Sequence, residues 1–223
     1  MVRMSPRSSA DQAQLTRQRI IDTGVVLASA NGLNGVSIGS IAEAMAMSKA
    51  GIIGPFASKS ELQQAMLTRA TQMFFDAVVA PSSTVPAGLP RLRQVITCWT
   101  AYLADSPFPN GCFITAVSCE LDAHPSPLRD QLRQTVLRWQ QFLREHVIIG
   151  KRAGDIPRHV DPDDTVETLI GLAMAANQGI QLLDDHKAAQ RARRLMIAAL
   201  GAAQPAHSGR STQRPMKTTG AGG

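Results

Sequence analysis

The sequence lacks the long apolar runs, the disulfide pattern and the strand signals that define several protein classes. No segment approaches the roughly 20 consecutive apolar residues that span a bilayer, and no apolar core follows Met1–Arg7 as it would in a secretory signal. Three cysteines, an odd number in 223 residues, argue against a disulfide framework and for a reducing compartment. Alternating β-branched runs joined by hairpin turns are nearly absent. These absences predict a cytoplasmic protein with no membrane partner.

The motifs of common catalytic and metal sites are also missing. The sequence contains no Gly-x-Ser-x-Gly, no phosphate-binding glycine loop and no His-Glu-x-x-His. Cys98, Cys112, Cys119 and His124 lie in one segment, but they lack the close Cys-x2-Cys pair of structural zinc sites. The cysteines are therefore interpreted as small buried side chains. We expect no enzymatic activity, no catalytic residue, no metal and no cofactor.

Basic residues are present in excess. The net charge is +6. The excess of basic residues lies at the two ends of the chain, whereas the middle is slightly acidic. Arg210, Arg214 and Lys217 lie in the C-terminal segment. A basic balance makes nucleic acid a plausible partner, although many basic proteins bind none.

Apolar residues recur at helical spacing along most of the chain, which predicts an all-α fold of about nine helices. Ser37, Ser48 and Ser58 are placed to cap the second, third and fourth helices, and Glu61 would complete a capping box. The predicted helices span residues 15–31, two short stretches after Ser37 and Ser48, 59–80, 91–104, 112–122, 126–149, 163–183 and 186–202. They divide into a small domain at residues 12–57 and a helical body at 58–202. Residues 1–11 are expected to be flexible and residues 203–223 to be disordered.

The second and third helices are joined by Ala46-Met47-Ser48, a spacing that suits a helix-turn-helix. In such a unit the second helix enters the major groove, and the amides at a helix start can bind phosphate. Arg17, Arg19, Lys49 and Lys59 would supply cationic contacts, although solvated surface charges are the alternative. Short amphipathic helices alone are weak support, because many small all-α domains contain them.

More specific is a set of motifs between Ile20 and Leu62, which resembles the tetracycline-repressor family of bacterial regulators. The matching residues are Gly24, Ser37-Ile38, Ile41-Ala42, Ser48-Lys49 and Phe56-Ala57-Ser58-Lys59. The body resembles the family's ligand-binding domain at Gly111-Cys112-Phe113-Ile114 and Gly154-Asp155-Ile156. The resemblance implies an N-terminal helix-turn-helix DNA-binding domain and a C-terminal ligand-binding and dimerisation domain. The DNA contacts that it implies are Arg17, Ser37, Ser48, Lys49, Ala50, Gly51, Ile53 and Lys59.

The recognition helix departs from the family pattern. Gly51 and Ile53 stand where the family usually has a hydroxyl residue and a Tyr that touch phosphate. Gly54 and Pro55 weaken the helix, since Gly costs about 1 kcal/mol and interior Pro about 3 kcal/mol, and Pro55 is predicted to end or bend it early. The turn carries Met45-Ala46 and so has no glycine. Two alternatives follow: a helical ligand-binding protein that has lost DNA recognition, or nonspecific nucleic-acid binding through the basic tail.

The resemblance also implies a pocket for a small apolar ligand in the body, although ordinary core packing explains each residue equally well. Glu120 is the main ionisable candidate on these faces, and Asn110 and Thr115 are further polar candidates. The pocket residues proposed on this basis are Met66, Met73, Phe74, Trp99, Tyr102, Phe113, Trp139 and Asn177.

The last two helices contain small residues such as Gly171 and Gly179, which permit close helix approach. By resemblance they pair with their copies in a second subunit as a four-helix bundle, with internal packing as the alternative. The overall prediction is a homodimeric, cytoplasmic repressor that leaves a palindromic operator in double-stranded DNA when a small apolar ligand binds.

Overall fold

The computed structural model describes residues 6–121 and 125–201, which fold into nine α-helices with no strand, as predicted. The helices are α1 Pro6–Asn31, α2 Ile38–Ala44, α3 Lys49–Ile53, α4 Lys59–Phe74, α5 Leu89–Ala104, α6 Phe113–Leu121, α7 Pro127–Ala153, α8 Pro162–Leu183 and α9 Ala188–Ala199. A π-helical segment, Phe75–Val79, and a 3-10 turn, Ala80–Ser82, follow α4. The predictions for the disordered tail and for His124 fall outside the described residues.

Several helix boundaries differ from those predicted. Helix α1 begins at Pro6 rather than at residue 15, so residues 6–11 of the segment expected to be flexible have helical geometry. Helix α4 ends at Phe74 rather than near residue 80, because the chain changes to π geometry. Helix α7 runs through Gly150, where a Cβ atom would lie 2.8 Å from Ile156, so that glycine marks a close approach rather than a helix end. The true end is Gly154, which adopts a left-handed conformation at φ +82°.

Serine caps fix the starts of the three helices as the sequence predicted. The hydroxyl groups of Ser37, Ser48 and Ser58 accept hydrogen bonds from backbone amides three residues later, at 3.0 to 3.1 Å. Glu61 also takes part, although its carboxylate accepts from the amide of Ala57 at 2.6 Å rather than from that of Ser58. The capping box therefore closes one residue earlier than its usual form.

Helix α5 lies at the centre of the body and packs against α7, α8, α9 and the π-helical segment. The helix-turn-helix is attached to this body mainly by α1, which packs along α4. At their contact Met66 lies against Gly24, where a Cβ atom would stand 2.9 Å from the Met66 sulfur. This close approach explains the glycine in the N-terminal motif.

The described residues contain no helix that is long and apolar enough to cross a membrane. Within the same ranges no group of three or more His, Cys, Asp or Glu side chains is arranged to hold a metal ion. Cys112 is buried and Cys98 is half-buried, but Cys119 is exposed on α6, so the expectation of buried cysteines is wrong for Cys119.

Candidate DNA-binding face and ligand cavity

The turn between α2 and α3 is held by hydrogen bonds that usually accompany a glycine. The amide of Met47 donates to the carbonyl of Ala42 at 2.9 Å, and the amide of Ala46 donates to that of Glu43 at 3.1 Å. These are the two bonds of a Schellman motif, in which the residue at the Ala46 position takes a left-handed conformation. Ala46 does so at φ +51°. An alanine thus adopts the geometry for which glycine is preferred, and the turn keeps its shape at a cost in strain.

Helix α3 has five residues and ends at Ile53, immediately before Gly54 and Pro55. Ile52 is fully buried and Ile53 is half-buried against the core, so both hold the helix in place. The outward face consists of the exposed residues Ser48, Lys49 and Ala50. The early end agrees with the effect predicted for Pro55, because proline cannot donate the next helical hydrogen bond.

The residues predicted to contact DNA fall into two groups. Ser37, Ser48, Lys49, Ala50 and Lys59 are exposed, and they cluster at the starts of α2, α3 and α4. The stem of Lys49 passes over Gly39 of α2, with its Cε atom 3.4 Å from the position that a Cβ there would take. The amino groups of Lys49 and Lys59 form no ion pair with any described residue. Gly51, Ile53 and Arg17 are half-buried.

Arg17 already has two partners inside the protein. Its Nη2 atom lies 3.3 Å from Oε1 of Glu61, and its guanidinium lies 4.7 Å from the centre of the Phe56 ring. The Ala57 amide, and then Arg17, hold the pKa of Glu61 below its usual value. Arg17 therefore joins α1 to the start of α4, and a DNA contact by this residue stays a prediction.

A cavity of about 270 Å³ lies in the body between helices α4 to α8. Phe74, Trp99 and Trp139 form one wall, and their rings meet edge to face at centroid distances of 5.0 to 6.4 Å. Most of the remaining lining is aliphatic, with hydroxyl groups from Thr71, Thr115, Ser118 and Thr135. The other lining residues are Leu103, Cys112, Ile114, Val136, Ile170, Ala173 and Met174.

A second cavity of about 320 Å³ adjoins the first and shares Thr71, Phe74, Thr135 and Trp139 with it. Its outer wall is formed by Phe75 and Val79 of the π-helical segment and by Arg138 and Phe142 of α7. Single π-helical turns occur frequently at functional sites. The two cavities therefore share the aromatic wall formed by Phe74 and Trp139.

Only Phe74, Trp99 and Trp139 of the eight predicted pocket residues line the first cavity, and the other five do not. Met66 packs against α1, Met73 is half-buried against the core, and Phe113 packs on Phe108 at 5.8 Å. Tyr102 is buried with its ring 5.4 Å from that of Phe74, and burial raises the pKa of its hydroxyl. Asn177 accepts a hydrogen bond from the amide of Cys112 at 2.9 Å and so fixes the start of α6.

Glu120 does not face the cavity, and its interpretation as an ionisable pocket residue is wrong. Its carboxylate accepts hydrogen bonds from the amides of Leu33, at 2.7 Å, and Asn34, in the link between α1 and α2. Close by, Asn110 donates to the carbonyl of Ala30 at 2.9 Å, at the end of α1. These bonds join positions 80 or more residues apart, so helical spacing gives no signal for them.

The structure combines a helix-turn-helix, whose second helix begins with an exposed basic residue, and a helical body with an apolar cavity. This combination defines the class of helix-turn-helix transcriptional regulators. Residues 20–66 match the model described as bacterial regulatory proteins, tetR family. Residues 88–196 match that described as tetracyclin repressor-like, C-terminal domain. The chain belongs to the tetracycline-repressor family of transcriptional regulators.

Individual relatives agree with this assignment. The chain is 28% identical over 159 residues to the HTH-type transcriptional repressor DhaR of Mycobacterium sp. (strain GP1), covering 69% of this chain and 76% of that protein. Its fold is similar to a TetR transcriptional regulator from Chloroflexus aurantiacus, with a TM-score of 0.79, 22% identity and coverage of 86% and 96%. It is also similar to AibR, solved with isovaleryl coenzyme A and operator DNA, with a TM-score of 0.66, 20% identity and coverage of 81% and 97%.

Proposed function

We propose that the protein is a homodimeric repressor that binds a palindromic operator and releases it when a small molecule occupies the cavity. The observation that carries this proposal is the double role of α6. Ile114, Thr115 and Ser118 of α6 line the cavity, while Glu120 of the same helix accepts hydrogen bonds from the amides of Leu33 and Asn34 in the link between α1 and α2. A ligand that displaces α6 therefore acts on the segment that positions the helix-turn-helix.

Release requires that the ligand prefer the arrangement of α6 in which DNA binding is weak. Because α6 has only nine residues, a shift at Thr115 or Ser118 is carried to Glu120 within about one turn. Two relatives support this proposal: DhaR is a transcriptional repressor by name, and AibR was solved in complex with isovaleryl coenzyme A and operator DNA.

The operator contacts are assigned to the exposed starts of α2, α3 and α4. Lys49 stands at the first position of α3, where a side chain can reach a base edge or a phosphate in the major groove. Ser37, Ser48 and Lys59 surround it and suit phosphate contacts. Ala50 and Gly51 allow close approach to the groove, and Ile53 supports the helix from below.

Homodimerisation is assigned to α8 and α9 because they expose large apolar side chains. The exposed fraction lies between 42% and 69% for Met174, Leu182, Leu183 and Leu195. Exposed apolar side chains on neighbouring helices are typical of a protein–protein interface. The small residues divide between two contacts. Gly179 is buried against Ala188 of α9, whereas Gly171 is exposed, with no atom within 4 Å of the position that its Cβ would take, and suits a partner helix. Light scattering should return about twice the chain mass of 23.9 kDa; a monomer mass at micromolar concentration contradicts the dimer.

The test of the proposed function is fluorescence anisotropy on DNA from upstream of the protein's own gene, with scrambled DNA and a salt series alongside. We expect tight binding that distinguishes the two DNAs and weakens steeply with salt. Lys49→Ala should lower cognate affinity by about 1–3 kcal/mol if Lys49 reads a base. An equal loss on scrambled DNA would reassign Lys49 to phosphate, and absence of specific binding across genomic fragments would reject the repressor.

That last outcome would favour a second function, a ligand-binding protein without sequence recognition. The observation behind it is the shortness of α3, which ends at Ile53 and leaves Lys49 and Ala50 as the exposed side chains of the helix. Ligand binding with no effect on any DNA fragment distinguishes this function from repression. Nonspecific binding through residues 204–223 is tested by deleting them, since the helix-turn-helix interpretation fails if all affinity is lost with the tail.

A further inference from the structure

The ligand cavity continues into a groove on the surface of the body. Ser118 and Val136 line both the first cavity, of about 270 Å³, and a groove of about 200 Å³ between α6 and α7. The groove is otherwise formed by Leu121, Leu132 and Leu137 and by two arginines, Arg129 and Arg133. A molecule in the cavity that extends past Ser118 and Val136 therefore meets these arginines.

Among the described residues, the charged side chains that line this path are all basic. Arg129 and Arg133 lie one turn apart on α7 at the groove, and Arg138 lies at the second cavity. The linings of both cavities and of the groove include no carboxylate among the described residues. The nearest acidic side chain of α6, Glu120, is held by the amides of Leu33 and Asn34.

Arg133 is the side chain best placed to bind a ligand charge. It is exposed at the groove and forms no ion pair with any residue that the structure describes. A guanidinium group presents paired donors that match the oxygens of a carboxylate or a phosphate. Aromatic rings attract cations, but a cationic ligand is disfavoured here because every charged side chain in the described lining is positive.

We infer that the effector is an amphipathic organic anion, with its apolar part among Phe74, Trp99 and Trp139 and its carboxylate or phosphate head at Arg133 and Arg129. This inference deepens the proposed function by naming the class of ligand. Ligand binding is measured without DNA, so the inference and the repressor proposal fail separately.

The chain supplies its own reporter, because Trp99 and Trp139 are its only two tryptophans and both line the cavity. Tryptophan fluorescence and calorimetry of the full chain would be followed during titration with four eight-carbon probes. These are octanoate, octyl phosphate, 1-octanol and octyltrimethylammonium. We expect both anions to bind at least about tenfold more tightly than 1-octanol, since a charge-assisted hydrogen bond contributes more than its neutral counterpart.

Arg133→Gln should weaken both anions by about tenfold and leave 1-octanol unchanged. The matched control is Arg152→Gln, which removes an exposed arginine from the other end of α7 and should leave all four affinities unchanged. The ratio of octanoate to octyl phosphate affinity identifies the head group. Equal binding of anions and 1-octanol, tighter binding of the cation, no binding of either anion, or equal losses in the two variants would each overturn the inference.

Discussion

The helix-turn-helix and the helical body are built by different kinds of contact. In the helix-turn-helix the helix starts are fixed by serine hydroxyls that bond to amides three residues later, and the turn closes through bonds within one short segment. In the body, the cavity takes its lining from five helices, and Asn177 fixes a loop 65 residues earlier. A region held by local bonds can be recognised from a sequence motif. Where distant contacts hold a region, its stability depends on single side chains that no motif reveals.

The largest effect is expected where a distant contact leaves no room for a side chain. Gly111 has φ +77°, and a Cβ atom there would lie 2.3 Å from Oδ1 of Asn177. Gly111→Ala should therefore lower the free energy of unfolding by about 3 kcal/mol, through backbone strain and overpacking together. Urea denaturation measures the change.

Gly154→Ala is the matched control for that substitution. Gly154 also has a left-handed conformation, at φ +82°, but no atom lies within 4 Å of its Cβ position. It should lose only the strain contribution, about 1 kcal/mol. Equal losses for the two variants would show that the contact with Asn177 contributes nothing to the requirement for glycine.

The next effect tests the bond that joins the two regions. Glu120→Ala removes the acceptor for the amides of Leu33 and Asn34, and should lower the free energy of unfolding by about 1–2 kcal/mol. A ligand that binds the cavity should then release DNA less effectively, while its own affinity is retained. Parallel DNA and ligand titrations measure both quantities.

Glu145→Ala provides the comparison, since Glu145 is an exposed glutamate on α7 and its hydrogen bond to Gln141 is local. It should change the free energy of unfolding by less than about 0.5 kcal/mol. If Glu120→Ala destabilises the protein but ligand-induced release is unchanged, α6 does not transmit the signal through Glu120.

A smaller effect of opposite sign is expected in the turn of the helix-turn-helix. Ala46 has φ +51°, which strains an alanine but not a glycine. Ala46→Gly should raise the free energy of unfolding by about 1 kcal/mol, after the entropy that glycine adds to the unfolded chain is subtracted. Ala44→Gly, at the last residue of α2, should instead lower it, by at most about 1 kcal/mol. A loss at Ala46 would show that its conformation is not strained.

These residues also show which features of the fold and the site can be predicted from the sequence. The serine caps, the all-α fold and the early end of α3 were predictable because each depends on neighbours within about one helical turn. Phe74, Trp99 and Trp139 were found as large apolar residues on inward faces. Met66, Phe113 and Asn177 share that spacing but lie elsewhere, because periodicity gives the face of a helix and not the helix it meets. The role of Glu120 depends on where α6 ends relative to α1, which no local pattern encodes.

The two regions should also differ in their response to pH. His146 is 6% exposed in the body, its Nδ1 atom faces the amide of Gly88 at 3.5 Å, and Phe142 packs against its ring. Burial, and then the positive charge of Arg91, lower the pKa of His146. The unfolded chain therefore takes up this proton first as pH falls through about 6.5, and the fold loses stability from there down to the folded-state pKa.

His146→Gln keeps an acceptor for Gly88 and should flatten the stability profile between about pH 7 and 5. His159→Gln removes an exposed histidine, retains His146 and should keep the slope that His146 contributes. Because Glu61 and the other carboxylates with lowered pKa act at more acidic pH, an unchanged slope in His146→Gln would mean that the buried histidine does not set the acid response of the body.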